Sequence, residues 1–209
     1  MDAVLRRRGL MLVLSSPSGA GKTSLVKALV VAIEHLKVSI SYTTRVIREG
    51  EVNGVDYQFV DDSEFNEMIT NADFLEHAQV FKHQYGTSNR WLGHQLDKGN
   101  DVILEIDWQG VRQIKSLFPE CVRIFVLPPS LEVLTERLIA RGQDDPAVIA
   151  GRMHAARNEI VHYEEADYLV VNDDFQETLS DIQHLITRNQ LPARQNEASN
   201  KALAEALLR

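Results

Sequence analysis

Nine residues, Ser16-Pro17-Ser18-Gly19-Ala20-Gly21-Lys22-Thr23-Ser24, come close to the pattern G-x-x-x-x-G-K-[ST], with serine at the first glycine place. A loop of this kind points several backbone N–H groups and the positive end of a helix at one anion. Lys22 would reach the β- and γ-phosphates, and the Thr23 hydroxyl would take a place on Mg²⁺. Ser16 begins the turn, where serine is tolerated as long as φ stays negative. Gly19 and Gly21 keep backbone freedom where the chain wraps closest to the phosphates. A Gly-Lys-Thr triplet also arises by chance in ordinary turns, so the reading depends on a buried strand before it and a helix after it.

An acidic pair follows in "ILEIDWQG". Glu105 and Asp107 stand two residues apart, so along a strand they would point the same way. Ligands gather at the carboxyl ends of parallel strands, and an acid there can orient Mg²⁺ or its waters; a solvated strand end is the plainer alternative. Arginines cluster twice, as Arg45 and Arg48 in "TTRVIR" and as Arg137, Arg141 and Arg152 further on. Arg137 and Arg141 share one helix face at i,i+4, and Gly142 breaks that helix. Taken singly, each arginine reads better as an exposed solubilising charge. Other chemistries find no support in spacing: the histidines lack H-E-x-x-H, and Ser15, Ser16 and Ser18 do not form G-x-S-x-G. Cys121, the only cysteine, suits a reducing compartment and a place in the core.

Apolar runs show what must position these groups. "LMLVL" (10–14), "DVILEID" (101–107), "VRIFVL" (122–127) and "YLVV" (168–171) are short, branched and mostly without alternation, as in strands covered on both faces. "KVSISYTT" (37–44) is a weaker fifth candidate. Helical spacing fills the gaps: Leu25, Leu29 and Ile33; Val111, Ile114 and Leu117; Leu131, Leu134 and Leu138; Leu179, Ile182 and Ile186. The alternation implies an α/β fold, a parallel sheet flanked by helices. Residues 37–94, rich in aromatics, charges and turn residues, read as a small mixed lobe. Residues 130–164 read as two helices around "RGQDDP", and 191–209 as a polar tail ending in a short helix. The core is then 1–36, 95–129 and 165–190.

Net charge is −8, from 22 basic and 30 acidic residues, which argues against nucleic-acid binding. A chain that handles phosphate must therefore concentrate its cations locally. The apolar stretch at 10–14 is shorter than the roughly 7–15 residues of a secretory core, and no run approaches the ~20 residues of a membrane span. A cytoplasmic protein is expected. A homo-oligomer is compatible with the sequence, which leaves the oligomeric state open.

The order and spacing of "SSPSGAGKTSL", "SYTTRVIREGEVNGVDYQF", "FLEHAQVF", "YGTS", "ILEIDWQG", "IFVLPPS", "RLIARGQ" and "VNDD" resemble the guanylate kinases, from about residue 10 to 190. That resemblance implies a P-loop core, a GMP-binding lobe at 37–94 and a helical lid at 130–164. It implies that ATP is held by residues 16–24 and by Asn172 near the adenine. It assigns the GMP phosphate to Arg45 and Arg48 with Tyr57 and Tyr85, and the guanine to Glu76, with Ser41, Thr87 and Glu105 nearby. Lys22, Arg45, Arg137, Arg141 and Arg152 become the catalytic cations. Mg²⁺ goes to Thr23 directly and to Asp107 through water. Arg157 either joins the lid arginines or is a surface residue, and Glu76 has the alternative of a plain strand-face carboxylate.

Two departures from the family pattern stand out: Ile47 where proline often separates the phosphate arginines, and Glu105 where some members carry aspartate. The implied reaction is ATP + GMP ⇌ ADP + GDP. A kinase for ribose 1,5-bisphosphate or another phosphate ester, and a catalytically silent protein-binding module, are the alternatives.

Overall fold

The computed structural model describes residues 8–80, 82–140, 142, 145–188, 195 and 197–209. The chain forms two compact units: the part up to Leu12 with His35–Cys121, and Val13–Glu34 with Val122–Arg209. Strand β1 (Met11–Ser15), buried at all five positions, contributes residues to both.

In the first unit β2 (Leu36–Val38) runs parallel to β7 (Asp101–Glu105), with Leu36 opposite Asp101, and the strand order is β2-β7-β1. A separate sheet contains β3 (Tyr42–Thr43), β4 (Gln58–Phe59), β5 (Phe74–Val80) and β6 (His83–Ser88), in the order β4-β3-β6-β5. Its long element is the β5–β6 antiparallel hairpin, where Glu76 stands opposite Thr87. Three helices accompany these strands: α2 (Asp62–Thr70), α3 (Asn89–Asp97) and α4 (Trp108–Leu117). Each starts where a short polar side chain takes up an otherwise unpaired backbone N–H. Asp61 accepts from Glu64, Ser88 from Trp91, and Asp107 from Gln109 and Gly110.

In the second unit β8 (Val122–Leu127) pairs in parallel with β9 (Tyr168–Val171), and the order is β1-β8-β9. The helices are α1 (Lys22–Ala32), α5 (Leu131–Ala140), α6 (Pro146–Ile160), α7 (Phe175–Arg188) and α8 (Glu197–Leu207). Helix α6 begins on Asp145 as cap with Pro146 in its first turn, and a 3-10 turn, Val161–Glu165, follows it. Helix α8 belongs to the core. Ala204 and Leu207 pack with Phe125, Leu127, Ile160, Tyr163 and Leu169, and the buried Asn200 Nδ2 donates to the Leu169 carbonyl at 2.8 Å.

Several sequence expectations shift. The run 37–44 is not one strand: its start continues β2 beside β7, and its end is β3 in the other sheet, so the mixed lobe takes up its own pairing only from Tyr42. Strand β7 stops at Glu105, which leaves Asp107 outside it. Leu117 is 56% exposed, so it does not continue the α4 stripe. The buried face of α7 is Thr178, Asp181, Ile182 and Leu185, one position off the pattern of Leu179 and Ile186. Among the described residues no helix is long and apolar enough to cross a membrane.

Candidate active site

The glycine loop sits between β1 and α1. Gly19 and Gly21 have φ of 92° and 100°, left-handed values that side-chain-bearing residues rarely adopt. Ser16 keeps a negative φ, and its hydroxyl donates to the Pro17 carbonyl at 3.1 Å. Serine at this place therefore needs no left-handed backbone. Gly21 caps α1 with no side-chain bond, and the first turn of α1 carries no acid. The positive end of this helix thus meets no protein carboxylate on its own first turn, an arrangement that suits an incoming phosphate. Lys22 is half-buried there, and Thr23 and Ser24 are exposed.

Asn172, just past β9, holds this loop from beneath. Its Nδ2 donates to the Ala20 carbonyl at 2.7 Å, and its own N–H donates to the Leu127 carbonyl at 2.8 Å. A Cβ on Gly21 would come within 2.4 Å of that Nδ2. The resemblance assigned Asn172 to adenine. In the structure the residue is only 3% exposed and its Nδ2 is engaged by the loop backbone, so it braces the loop. Its Oδ1 is buried with no hydrogen-bond partner.

The second arginine cluster divides. Arg152 Nη1 donates to Ser18 Oγ at 3.2 Å, and Ser18 N–H donates to Glu159 Oε2 at 3.0 Å, so α6 touches the loop through both charges. Arg137 Nη2 donates to the Asn172 and Asp173 carbonyls at 3.0 and 3.3 Å. Arg141 lies outside the described residues. Arg157 is exposed, and its Nη1 donates to the Leu207 carbonyl at 3.1 Å, a tie to α8. Glu159 was not singled out in the sequence, because its partner is 141 residues away.

In the first unit Arg45 is held on three sides. Its Nη2 donates to Glu51 Oε1 at 2.7 Å, its Nη1 donates to the Val46 carbonyl at 2.8 Å, and its guanidinium lies 5.3 Å from the Tyr57 ring centroid and 5.6 Å from that of Phe59. Burial works against the Arg45 charge, yet the Glu51 bond and charge outweigh it and raise its pKa. Burial likewise pushes Glu51 up, but Arg45, the Arg48 N–H and both guanidinium charges bring it below the usual range. Glu51 Oε2 accepts from the Arg48 backbone at 2.8 Å. One carboxylate thus sets the spacing of the two arginines, which is the job a proline at Ile47 would have done. The sequence signal for Glu51 was the acid six places after Arg45.

Tyr57 and Tyr85 stand edge to face at 5.9 Å. Burial, then the charge of Glu105, raises the Tyr57 pKa, so its phenol keeps its proton and can donate to an anion. Glu105, at the end of β7, thereby belongs to the same neighbourhood. Glu76 is 3% exposed, and Thr87 Oγ1 donates to its Oε1 at 2.6 Å. Burial first, then the charge of Asp107, pushes the Glu76 carboxyl up to about 7 against the pull of the Thr87 bonds. Ser41 is also buried, and its carbonyl accepts from the Gln58 N–H at 2.9 Å.

Asp107 requires correction. It lies past β7, so strand alternation does not align it with Glu105. Oδ1 accepts from the backbone of Gln109 and Gly110 at 3.1 and 3.0 Å, and Oδ2 accepts from Gln109 Nε2 at 2.9 Å. It is first of all the cap of α4.

The comparisons with known proteins agree with this geometry. The guanylate kinase family model matches residues 8–189. The guanylate kinase of Coxiella burnetii is 50% identical over 197 residues, covering 94% of each chain. That of Saccharophagus degradans is 50% identical over 200 residues, covering 96% of this chain and 98% of that one. That of Alkalilimnicola ehrlichii is 52% identical over 199 residues, covering 95% and 97%. The crystal structure of guanylate kinase from Anaplasma phagocytophilum matches at a TM-score of 0.75 and 34% identity, covering 98% of both chains. With a family match over most of its length and relatives at half identity, the chain belongs to the guanylate kinase family.

Proposed function

We propose that this chain transfers the γ-phosphoryl group of ATP to GMP, giving ADP and GDP, and that the residues described above carry it. The observation that supports the choice of acceptor is the buried Glu76 carboxylate, with one oxygen held by Thr87 at 2.6 Å. Guanine offers two donors on one edge, the N1–H and the 2-amino group, and a carboxylate accepts both. Adenine has no donors at those places, so AMP would leave a buried charge unpaired, a loss that can reach about 10⁴-fold in discrimination.

Arg45 and Arg48, spaced by Glu51, suit the GMP phosphate, with the Tyr57 and Tyr85 hydroxyls as further donors. That phosphate has a second pKa of about 6, so its attacking oxygen is already largely anionic and needs no strong base. The oxygen forms the new P–O bond as the bond from the γ-phosphorus to the β,γ-bridging oxygen breaks. What this chain supplies is position and positive charge: the loop N–H groups and Lys22 on the ATP phosphates, and Arg137 and Arg152 over the transferring group.

Mg²⁺ fits the donor set. Among the described residues no three His, Cys, Asp or Glu gather into a cage. An ion carried chiefly by nucleotide phosphates and water needs only one or two protein oxygens. The exposed Thr23 hydroxyl at the start of α1 is the best placed, and Asp107, already engaged as a cap, is left a role through water at most. When bound, the ion would neutralise charge between the β- and γ-phosphates.

A coupled ADP-release assay with GMP, AMP, CMP, UMP and ribose 1,5-bisphosphate tests this. GMP alone should support turnover. Turnover with ribose 1,5-bisphosphate in preference to GMP would transfer the site to that substrate, and absence of turnover with every acceptor would revive a silent binding module.

A further inference from the structure

Gly110 lies in the first turn of α4, has no positive φ, and is buried. A glycine weakens a helix relative to alanine, so its presence calls for a reason. Space supplies one. A Cβ at position 110 would meet Glu76 Oε2 at 2.6 Å, Glu76 Cδ at 3.2 Å and Ile106 Cδ1 at 3.1 Å. The first of these is far inside van der Waals contact. We infer that Gly110 is a positioning residue for base selection: the bare Cα of α4 is the seat of the Glu76 carboxylate and fixes where that carboxylate faces the acceptor base. This rests on the reading of Glu76 as the guanine reader.

The backbone on either side is held in place. Helix α4 is stitched to β5 by side-chain amides that complete the strand's edge. Gln113 Nε2 donates to the His77 carbonyl at 2.8 Å, the His77 N–H donates to Gln113 Oε1 at 3.2 Å, and Gln109 Nε2 donates to the Gln79 carbonyl at 3.1 Å. The Gly110 N–H is itself tied to Asp107 Oδ1 at 3.0 Å. On the strand side, Thr87 pins Glu76 Oε1. An added methyl group therefore acts on the one element left to move, the Glu76 carboxylate. A displacement of that scale at a two-bond recognition site costs on the order of 10- to 100-fold.

The test is steady-state kinetics of G110A, E76Q, E76D and the double variants G110A/E76Q and G110A/E76D. G110A is expected to raise the KM for GMP on the order of 10- to 100-fold and to leave the KM for ATP within about twofold. In the E76Q background the same change should add almost nothing. Aspartate at 76, one methylene shorter, draws the carboxylate away from the methyl group, so G110A/E76D should bind GMP better than the product of the single effects. If G110A leaves GMP kinetics unchanged while E76Q abolishes them, the inference is overturned and the Glu76 reading survives. If E76Q itself leaves the KM for GMP unchanged, the Glu76 reading is what fails. A rise in both KM values together would show a general packing role and overturn the inference. Should G110A not fold, recovery of folding in G110A/E76D, whose shorter side chain relieves the contact, supports the clash with Glu76, and failure of G110A/E76D to fold where E76D alone folds overturns it.

Discussion

Glu76→Gln should make the empty protein more stable and a worse enzyme. The carboxyl is pushed up to about 7, against 4.5 for the ordinary group, chiefly by burial. Between those two values the folded chain keeps a proton that the unfolded chain gives up. Stability therefore falls as pH rises through that window and stays low above it. A shift of this size corresponds to about 3 kcal/mol. Glutamine matches the shape and carries no charge, so at pH 8 it should recover about 1–3 kcal/mol, part being lost with the strong Thr87 bond.

Near pH 5, where Glu76 is mostly protonated in the fold, the gain should shrink to well under half of its pH 8 value. Urea denaturation of both proteins at the two pH values measures this. In kinetics, the amide turns a donor toward guanine where an acceptor is needed, and kcat/KM for GMP should fall on the order of 10²-fold or more. Because GMP selects the ionised carboxylate, the wild-type KM for GMP should rise below about pH 7, an effect that E76Q should lack. A variant that is less stable at pH 8, or equally stabilised at both pH values, would refute the account of Glu76 as a charge buried for the sake of its ligand.

Three further outcomes follow from named contacts. Glu51→Gln should release Arg45 and raise the KM for GMP about tenfold with little change for ATP, since a charge-assisted pair of this kind contributes about 1.5 kcal/mol; isothermal titration with GMP reads it directly. Asn172→Ala should lower stability by about 1–3 kcal/mol by leaving the Ala20 carbonyl unpaired, and should weaken ATP more than GMP in the same titration. Leu207→Ala should cost about 2–4 kcal/mol by opening the core under α8, whereas Leu117→Ala on the exposed end of α4 should stay within about 0.5 kcal/mol; thermal melts of the pair compare them.

The parts of this protein that could be read from residues in order are those made by neighbours in the chain. The glycine loop, its strand and its helix occupy one continuous stretch, and their backbone demands fall on consecutive positions. The branched, unalternating runs at 10–14, 122–127 and 168–171 follow from burial on both faces, which each strand declares by itself. Arg45 and Arg48 came with their own spacing, and even the unremarked Glu51 lies only six residues from Arg45.

Tertiary structure decided which of these groups support one another. Asn172 reaches Ala20 across 152 residues, and Glu159 reaches Ser18 across 141. Nothing local marks either bond, because it exists only once β9 and α6 are packed against the loop. Asp107 looked like a strand-end acid and became a cap, since the strand stops two residues earlier and α4 needs an acceptor for its first N–H groups. Glu76 could be named from sequence as a carboxylate, but its proton, its Thr87 bond and its seat over Gly110 arise from burial, and burial is a property of the assembled chain. Residue order thus determined the chemistry this protein carries, and packing determined how each charged group is paired, spaced and protonated, because distances across a fold are set by contacts that no short stretch of sequence contains.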